Sequence, residues 1–268
     1  MPDQREIVVV SQRRKRAGAG VKLIRTFEGH TSTINSVDIC SSGQQLASAS
    51  ADGDIKLWDV ESGHLLHTLE GYGHSVRSVA FNPNNTMLAS GGADCTVRLW
   101  DAASGTPLFS LIGHNAPILN LAYNPSRTIL ASGGSDDNVH MWSAFDSKPI
   151  QTHTAHCGGV HSVAFNVEGN LLAAGTEDGP VLIWDAATGG LLRKLEGHRS
   201  PVYVVMFHPL GREVTTASHG NVMIWELSTG KLLRTLEGQT GMMSLLLAMI
   251  QRVCSWQREV RTRSACGT

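Results

Sequence analysis

The chain has 268 residues, 41% of them hydrophobic and 17% charged, and a formal net charge of −1 at neutral pH. One large all-β domain is compatible with this length, because such domains often exceed the usual domain size. The near-zero charge gives the molecule as a whole no electrostatic bias toward nucleic acids or anionic membranes.

The first 21 residues show no periodic pattern. The run Ile7–Val10 is compatible with an edge strand, but it is shorter than the apolar core of a signal peptide, which needs about 7–15 residues. Four basic residues at 13–16 then precede Ala-Gly-Ala-Gly. Such a charge run predicts a flexible, solvated arm over residues 1–21. The alternative is a nuclear-import or phosphate-binding patch.

A regular period organises residues 22–238. Five tryptophans mark it at intervals of 42, 42, 42 and 41 residues: Trp58, Trp100, Trp142, Trp184 and Trp225. Each copy contains four apolar or β-branched stretches that are separated by turn-forming residues, which predicts four short strands. A repeat of about 40–45 residues with four strands is typical of a propeller blade.

The first copy carries the motif most completely, with Gly29-His30 at its start, Asp52 at a turn and Trp58-Asp59 at its end. The recurrence of these residues at this period resembles the WD-repeat family of β-propellers. The resemblance covers residues 22–238. It implies an all-β fold of four-stranded antiparallel blades, with five clear blades and a degenerate or incomplete closing blade.

The two ends of the repeat array are related by sequence. Lys22–Phe27 (KLIRTF) matches Lys231–Leu236 (KLLRTL), the fourth strand of the fifth copy. In the family, an outer strand from the N-terminus completes the last blade. The resemblance therefore implies that Lys22–Phe27 closes the ring.

The pattern fails after Leu236. Gln239 stands in the position of the repeated His, and Trp256 follows after 17 residues, against 28 from His30 to Trp58. The largely apolar run Met242–Ile250 is far shorter than the about 20 residues that a membrane helix needs, so we expect no membrane span. Residues 239–268 are therefore either a degenerate sixth blade or an unrelated tail that leaves the ring open or strained.

The resemblance also implies a buried hydrogen-bonded set of His, hydroxyl, Asp and Trp in each blade. Indole donates only, carboxylate accepts only, and hydroxyl and neutral imidazole do both, so a chain of the four satisfies every group. The second copy has Tyr72 or the later His74 in the His position, Ala174 replaces the hydroxyl in the fourth, and His219 replaces the Asp in the fifth. The predicted members are His30, Ser48, Asp52 and Trp58; Ser90, Asp94 and Trp100; His114, Ser132, Asp136 and Trp142; His156, Asp178 and Trp184; and His198, Thr215 and Trp225.

A Ser/His/Asp set can also indicate a hydrolase, but a catalytic triad needs one nucleophile and one base at a single site. Here the set recurs in copy after copy with a Trp attached. We therefore predict a non-enzyme with no catalytic residue, no cofactor and no metal. The odd number of cysteines, without a Cys-x-x-Cys pair, indicates a reduced intracellular compartment, cytoplasmic or nuclear.

Partner binding is expected on one rim of the blades, the edge that carries the Gly-His loops and the turn Asp residues. In the family, partners contact residues just inside the first strand and just before the turn Asp. Arg and Tyr are favoured anchors in protein interfaces. The positions implied here are Asn35, Arg77, Leu119, His161, Tyr203 and Glu177.

The predicted function is a non-catalytic scaffold that binds protein partners through this rim, as a subunit of a multiprotein complex. The alternative is a nucleic-acid-associated subunit, in chromatin or RNA processing, that uses the basic arm and the arginines of the last thirty residues. The identity of the partners stays open at this point.

Overall fold

The computed structural model describes residues 7–12, 21–70, 73–126, 129–143 and 149–237. Within these ranges the chain forms strands and turns and no helix, as predicted for an all-β fold. This part of the chain accordingly has no helix that is long and apolar enough to span a membrane.

In the described ranges, twenty-two strands form a two-stranded sheet and five four-stranded sheets, in which consecutive strands are neighbours. The first pair is β1 (Ile7–Gln12) and β2 (Val21–Phe27). Sheet 1 is β3 (Ile34–Ile39), β4 (Gln45–Ser50), β5 (Ile55–Asp59) and β6 (Leu65–Leu69). Sheet 2 is β7 (Val76–Phe81), β8 (Met87–Gly92), β9 (Thr96–Asp101) and β10 (Pro107–Ile112). Sheet 3 is β11 (Ile118–Tyr123), β12 (Ile129–Gly134), β13 (Asn138–Ser143) and β14 (Pro149–Thr154). Sheet 4 is β15 (Val160–Phe165), β16 (Leu171–Thr176), β17 (Val181–Asp185) and β18 (Leu191–Leu195). Sheet 5 is β19 (Val202–Phe207), β20 (Glu213–Ser218), β21 (Asn221–Glu226) and β22 (Leu232–Glu237).

The Asp of each Trp-Asp pair holds the turn between the third and fourth strands. In sheet 1, the Asp59 carboxylate accepts hydrogen bonds from the backbone N–H and the hydroxyl of Ser62, both at 2.6 Å. Gly63 follows with a φ of +80°, a conformation that side chains other than glycine rarely adopt. The same bonds recur at Asp101 and Asp185. The motif residue is therefore a turn former, and its serine bonds lower its pKa.

The chain divides into two compact units, residues 1–121 and 122–268, and each is described by itself. In the first unit, Ala47, Leu57 and Leu69 of sheet 1 form one buried cluster with Val79 and Trp100 of sheet 2. We call the face of a sheet that packs on the next sheet along the chain its trailing face, and the opposite face its leading face. Packing on both faces explains why the residues of β4 and β8 are buried almost throughout, instead of alternating between buried and exposed.

The second unit repeats this packing. Met141 of sheet 3 clusters with Val163 and Trp184 of sheet 4. Ile183 and Leu195 of sheet 4 cluster in turn with Phe207, Val214 and Trp225 of sheet 5. Each pair of neighbouring sheets within a unit thus shares a dry core.

Polar bonds join neighbouring sheets at their innermost strands. The Ser36 hydroxyl accepts the backbone N–H of Val79 at 3.3 Å, and Ser78 accepts that of Leu121 at 3.0 Å. In the second unit, Ser162 accepts the N–H of Val205 at 3.1 Å. These backbone groups lie on strand edges, where a buried donor needs a partner. These serines recur with the repeat, but no motif in the sequence marks them as partners of the next sheet.

The strand β2 packs beside sheet 1. Its Arg25 guanidinium donates to the carbonyl oxygens of Ser62 and Glu61 at 2.5 and 2.6 Å, and the Phe27 ring lies edge-on to Trp58 at 5.7 Å. Its strand partner among the described residues is β1, which contains the run Ile7–Val10. The rest of the predicted arm, residues 1–6 and 13–20, lies outside the described residues, as does the predicted segment 239–268, so closure of the ring by β2 stays a prediction.

Asp38 is an ionisable group at the interface of sheets 1 and 2. Its carboxylate accepts the N–H of Phe81 at 2.7 Å and that of Ile39 at 2.9 Å. Burial nevertheless raises its pKa to about 6, from an ordinary 3.8. The equivalent position in sheet 2 is Ala80, which carries no charge.

The folded protein therefore binds more protons than the unfolded chain between about pH 4 and pH 6, and its free energy of unfolding falls as the pH rises through that window. We expect Asp38→Asn to keep an acceptor and to remove this pH dependence. The variant should gain about 1–2 kcal/mol over the wild type at pH 7.5, less than the full shift because the side chain is partly accessible, and no advantage at pH 4. Urea denaturation at both pH values measures it; equal differences at the two would contradict it.

Candidate functional site

The predicted polar set is assembled in sheet 1. The His30 Nδ1 lies 2.9 Å from Asp52 Oδ2, and its Nε2 lies 2.8 Å from Ser48 Oγ. The Trp58 indole N–H donates to the same hydroxyl at 2.9 Å. The four residues come from the loop before β3, from β4, from the β4–β5 turn and from β5, so the set ties these segments together.

The electrostatics of this set match a structural role. Burial alone would raise the pKa of Asp52, but the N–H groups of Asp54 and Thr31 and the His30 ring hold it below its ordinary value. Ser48 is fully buried, and its oxygen is already engaged by an imidazole and an indole. A substrate carbonyl has no approach to this oxygen, so the geometry does not support a hydrolase triad at this position.

Sheets 2 and 3 keep the hydrogen bond from the tryptophan N–H to the serine hydroxyl. The Trp100 N–H donates to Ser90 Oγ at 2.7 Å, and the Trp142 N–H donates to Ser132 Oγ at 2.8 Å. Asp94 of sheet 2 forms an ion pair with Arg98 at 2.5 Å. His74 is exposed, and Tyr72 lies outside the described residues.

In the loop before sheet 3, His114 is a buried residue of the first unit. Asp136 of the second unit is half-buried in the β12–β13 turn.

Sheet 4 lacks the assembled set. Ala174 provides no hydroxyl, and both His156, with a φ of +54°, and Asp178 are exposed. The Trp184 ring instead stacks on the buried His153 of β14, with centroids 5.2 Å apart and planes inclined by 24°. His153 stands where β6, β10 and β18 have the buried leucines Leu69, Leu111 and Leu195, and burial lowers the pKa of His153.

Sheet 5 corrects the predicted set. The hydroxyl is Thr216, not Thr215: it lies 2.7 Å from His198 Nε2 and accepts the Trp225 N–H at 2.8 Å. Counting back ten residues from Trp225, as in the other copies, points to Thr215, but the turn between β20 and β21 is one residue shorter, with Ser218 and Asn221 directly paired. The interval of 41 residues to Trp225 was the signal of this deletion.

The acceptor for the other nitrogen of His198 also differs from the prediction. His198 Nδ1 lies 2.8 Å from Ser218 Oγ and 3.1 Å from Asn221 Oδ1, and these two oxygens replace the Asp carboxylate. His219 does not fill that role. Burial lowers the pKa of His198, against the opposing bond to Asn221.

The predicted rim residues of the first unit lie at the second position of their strands. Asn35 donates to Ser75 Oγ at 3.1 Å and to the carbonyl oxygen of Val76 at 2.8 Å, so it joins sheets 1 and 2. Arg77 is exposed, and Leu119 is half-buried. Asn35 is thus partly committed to structure, whereas Arg77 is accessible.

Three rim residues of the second unit form a cluster with a fourth. His161 Nε2 is bonded to the Glu177 carboxylate. The Tyr203 ring lies edge-on to His161, at 5.1 Å, and edge-on to His219, at 5.3 Å. We call these four residues the rim cluster. His161, Glu177 and Tyr203 were predicted rim residues, whereas His219 was not, because the short turn of sheet 5 brings it beside Tyr203.

Comparisons with known proteins give a family and several relatives. The model of the "Nucleolar protein 10-like, N-terminal domain" family, a β-propeller domain, matches residues 31–258. A ribosome biogenesis protein BOP1 homolog of Arabidopsis thaliana is 42% identical over 40 residues, 15% of this chain and 5% of that protein. A U3 small nucleolar RNA-associated protein 21 homolog of Schizosaccharomyces pombe is 40% identical over 45 residues, 17% of this chain and 5% of that protein. The WD repeat-containing protein SL1-17 of Schistosoma mansoni is 49% identical over 45 residues, 17% of this chain and 15% of that protein.

The corrected hydroxyl of sheet 5 can be tested with neighbouring threonines. Thr216→Ala removes the acceptor of the buried Trp225 N–H and the hydrogen-bond partner of His198 Nε2. We therefore expect it to lower the free energy of unfolding by about 1–3 kcal/mol. The matched control Thr215→Ala, one residue away and half-buried, should cost less than about 0.5 kcal/mol. Denaturant unfolding of both variants measures the difference. A larger loss at Thr215 than at Thr216 would contradict the assignment.

Proposed function

Because this chain belongs to the family of the Nucleolar protein 10-like N-terminal domain, we propose that it is a β-propeller scaffold of the ribosome-biogenesis machinery in the nucleolus. Two relatives carry names from ribosome biogenesis and from U3 small nucleolar RNA association, which supports this setting. The matched segments span only small parts of those relatives, so the setting rests mainly on the family.

The assembled polar sets support a scaffold over an enzyme. In sheets 1 and 5 the reactive-looking side chains are buried and bonded to one another. They contribute to the stability of the sheets, because each bond is worth about 1 kcal/mol and each unsatisfied group would cost more. The accessible chemistry lies on the rim, where side chains differ from sheet to sheet.

The rim cluster is the observation that carries the proposal. Tyr203 is held by contacts with two imidazole rings, and His161 is held by Glu177. A tyrosine restrained in this way loses little side-chain freedom when a partner binds, which is the property of an energetically dominant interface residue. We propose that protein partners contact Tyr203, His161 and Glu177, and that Arg77 provides a second anchor in the first unit.

Affinity purification from cells tests the rim. The tagged full chain should recover ribosome-biogenesis proteins, and Tyr203→Ala combined with Arg77→Ala should reduce their recovery at least about tenfold, as expected when a dominant interface residue is lost. Leu233→Ala, an exposed leucine of β22 away from the rim, is the matched control and should recover the same partners. Equal recovery by the rim variant, at an unchanged melting temperature, would remove the rim from the proposal.

A second candidate is direct RNA binding, which is supported by the RNA-associated relative and by the basic residues at 13–16. Binding of a single-stranded RNA of twenty nucleotides should then weaken steeply with salt. Replacement of Arg13, Arg14, Lys15 and Arg16 by alanine should reduce the slope of log affinity against log salt by about 0.7 for each lost phosphate contact. Fluorescence anisotropy measures both. Absence of binding at 50 mM salt would end this candidate and leave the protein scaffold intact.

A further inference from the structure

One face of the last described sheet differs from its equivalents. Leu236, on the trailing side of β22, keeps 39% of its surface exposed, whereas the equivalent Leu195 of sheet 4 keeps 2%. Leu69 and Leu111 at the same position are also buried. Leu195 owes its burial to the neighbouring sheet 5, with which it clusters. Within the described residues of its own unit, Leu236 has no such neighbour.

Two further residues show the same difference. Ile224 and Thr215 are partly accessible, whereas Ile183 and Ala173, the equivalents in sheet 4, are fully buried. The difference is confined to this face: Leu233, on another part of β22, is 44% exposed, and its equivalent Leu192 is 43% exposed. Together, Leu236, Ile224 and Thr215 form a face with the chemistry of a sheet–sheet core that is open to solvent.

An arginine lies at the margin of this face, at a position where two other arginines of the chain donate to backbone carbonyl oxygens. Arg193, at the equivalent position of β18, donates to the carbonyl oxygen of Ser228 in the following sheet at 2.7 Å. Arg25 of β2 makes the same kind of bond to Ser62 and Glu61 of sheet 1. Arg234 stands at this position in β22 and is exposed. The face therefore suits a polypeptide that brings apolar side chains to Leu236 and carbonyl oxygens to Arg234.

We propose that the trailing face of sheet 5 is the docking surface for residues 238–268 of this same chain. That segment follows Glu237 directly, so its effective concentration at the face is high. It contains the largely apolar run Met242–Ile250, and the family match continues to residue 258, past the end of β22. This surface lies away from the rim, so the docking does not depend on the proposed function.

Cysteine labelling tests this docking. Leu236→Cys and the control Leu233→Cys are each introduced into the full chain and into a chain that ends at Glu237, with Cys95, Cys254 and Cys266 replaced by serine. A maleimide reagent should label residue 236 at least about tenfold more slowly in the full chain, because labelling then requires the segment to leave the face. Residue 233 should be labelled at the same rate in both chains.

Three outcomes would overturn the proposal. The first is rapid labelling of residue 236 in the full chain, which would leave the face free for a partner protein. The second is protection that depends on protein concentration in both chains, which would indicate a second copy. The third comes from a full-length variant with Leu245, Leu246 and Leu247 changed to serine, which replaces the shortened chain if that chain fails to fold: unchanged protection of residue 236 in this variant would also contradict the docking.

Discussion

The buried indole N–H of the repeat tryptophan is the constraint on which the sheets depend. An indole donates and cannot accept, so each tryptophan that packs between two sheets requires an acceptor within reach. Ser48, Ser90, Ser132 and Thr216 supply it from the second strand of their sheets. In sheets 1 and 5, an imidazole and its acceptor extend the chain of bonds to the loop and the turn at one rim. The side chains that would attract a search for catalysis are thereby consumed in joining strands, loops and turns.

Much of the fold follows from the sequence because the repeat supplies five versions of one pattern. The four short strands that each repeat copy predicts are present in all five described four-stranded sheets. Prediction failed where one copy departs from the spacing: the deletion in the β20–β21 turn moved the hydroxyl to Thr216 and placed His219 beside Tyr203. It also missed the bonds of Ser36, Ser78 and Ser162, because a serine on an innermost strand reveals its partner only when the next sheet is in place. The rim positions are open to sequence reasoning, but the contacts among them depend on turn geometry.

The family match and the five four-stranded sheets of its described residues place this chain among WD-repeat β-propellers. Fold alone does not determine function. What distinguishes this molecule is the variation laid over the repeat: an arginine, a leucine, a histidine and a tyrosine at one equivalent rim position. Regular sheets with varied rim side chains are suited to binding several partners through different rim residues. Under the proposed function, partners would contact residues whose substitution leaves the buried bonds intact.

The departures of sheet 4 from the repeat affect where the structure opens locally. It has no hydroxyl at Ala174, and its His156 and Asp178 are exposed. Its Trp184 stacks on the His153 imidazole, whereas Trp100 and Trp225 cluster with the leucines Leu69 and Leu195. Amide protons along β16 and β17 should therefore exchange with solvent before those of β4 and β5, since the least cross-linked part of a structure opens first. Mildly acidic pH should increase this difference in exchange rate, because protonation would place a charge on the buried His153 beside the Trp184 ring. Within the second unit, sheet 4 should therefore be the least stable sheet, although it lies between sheets 3 and 5.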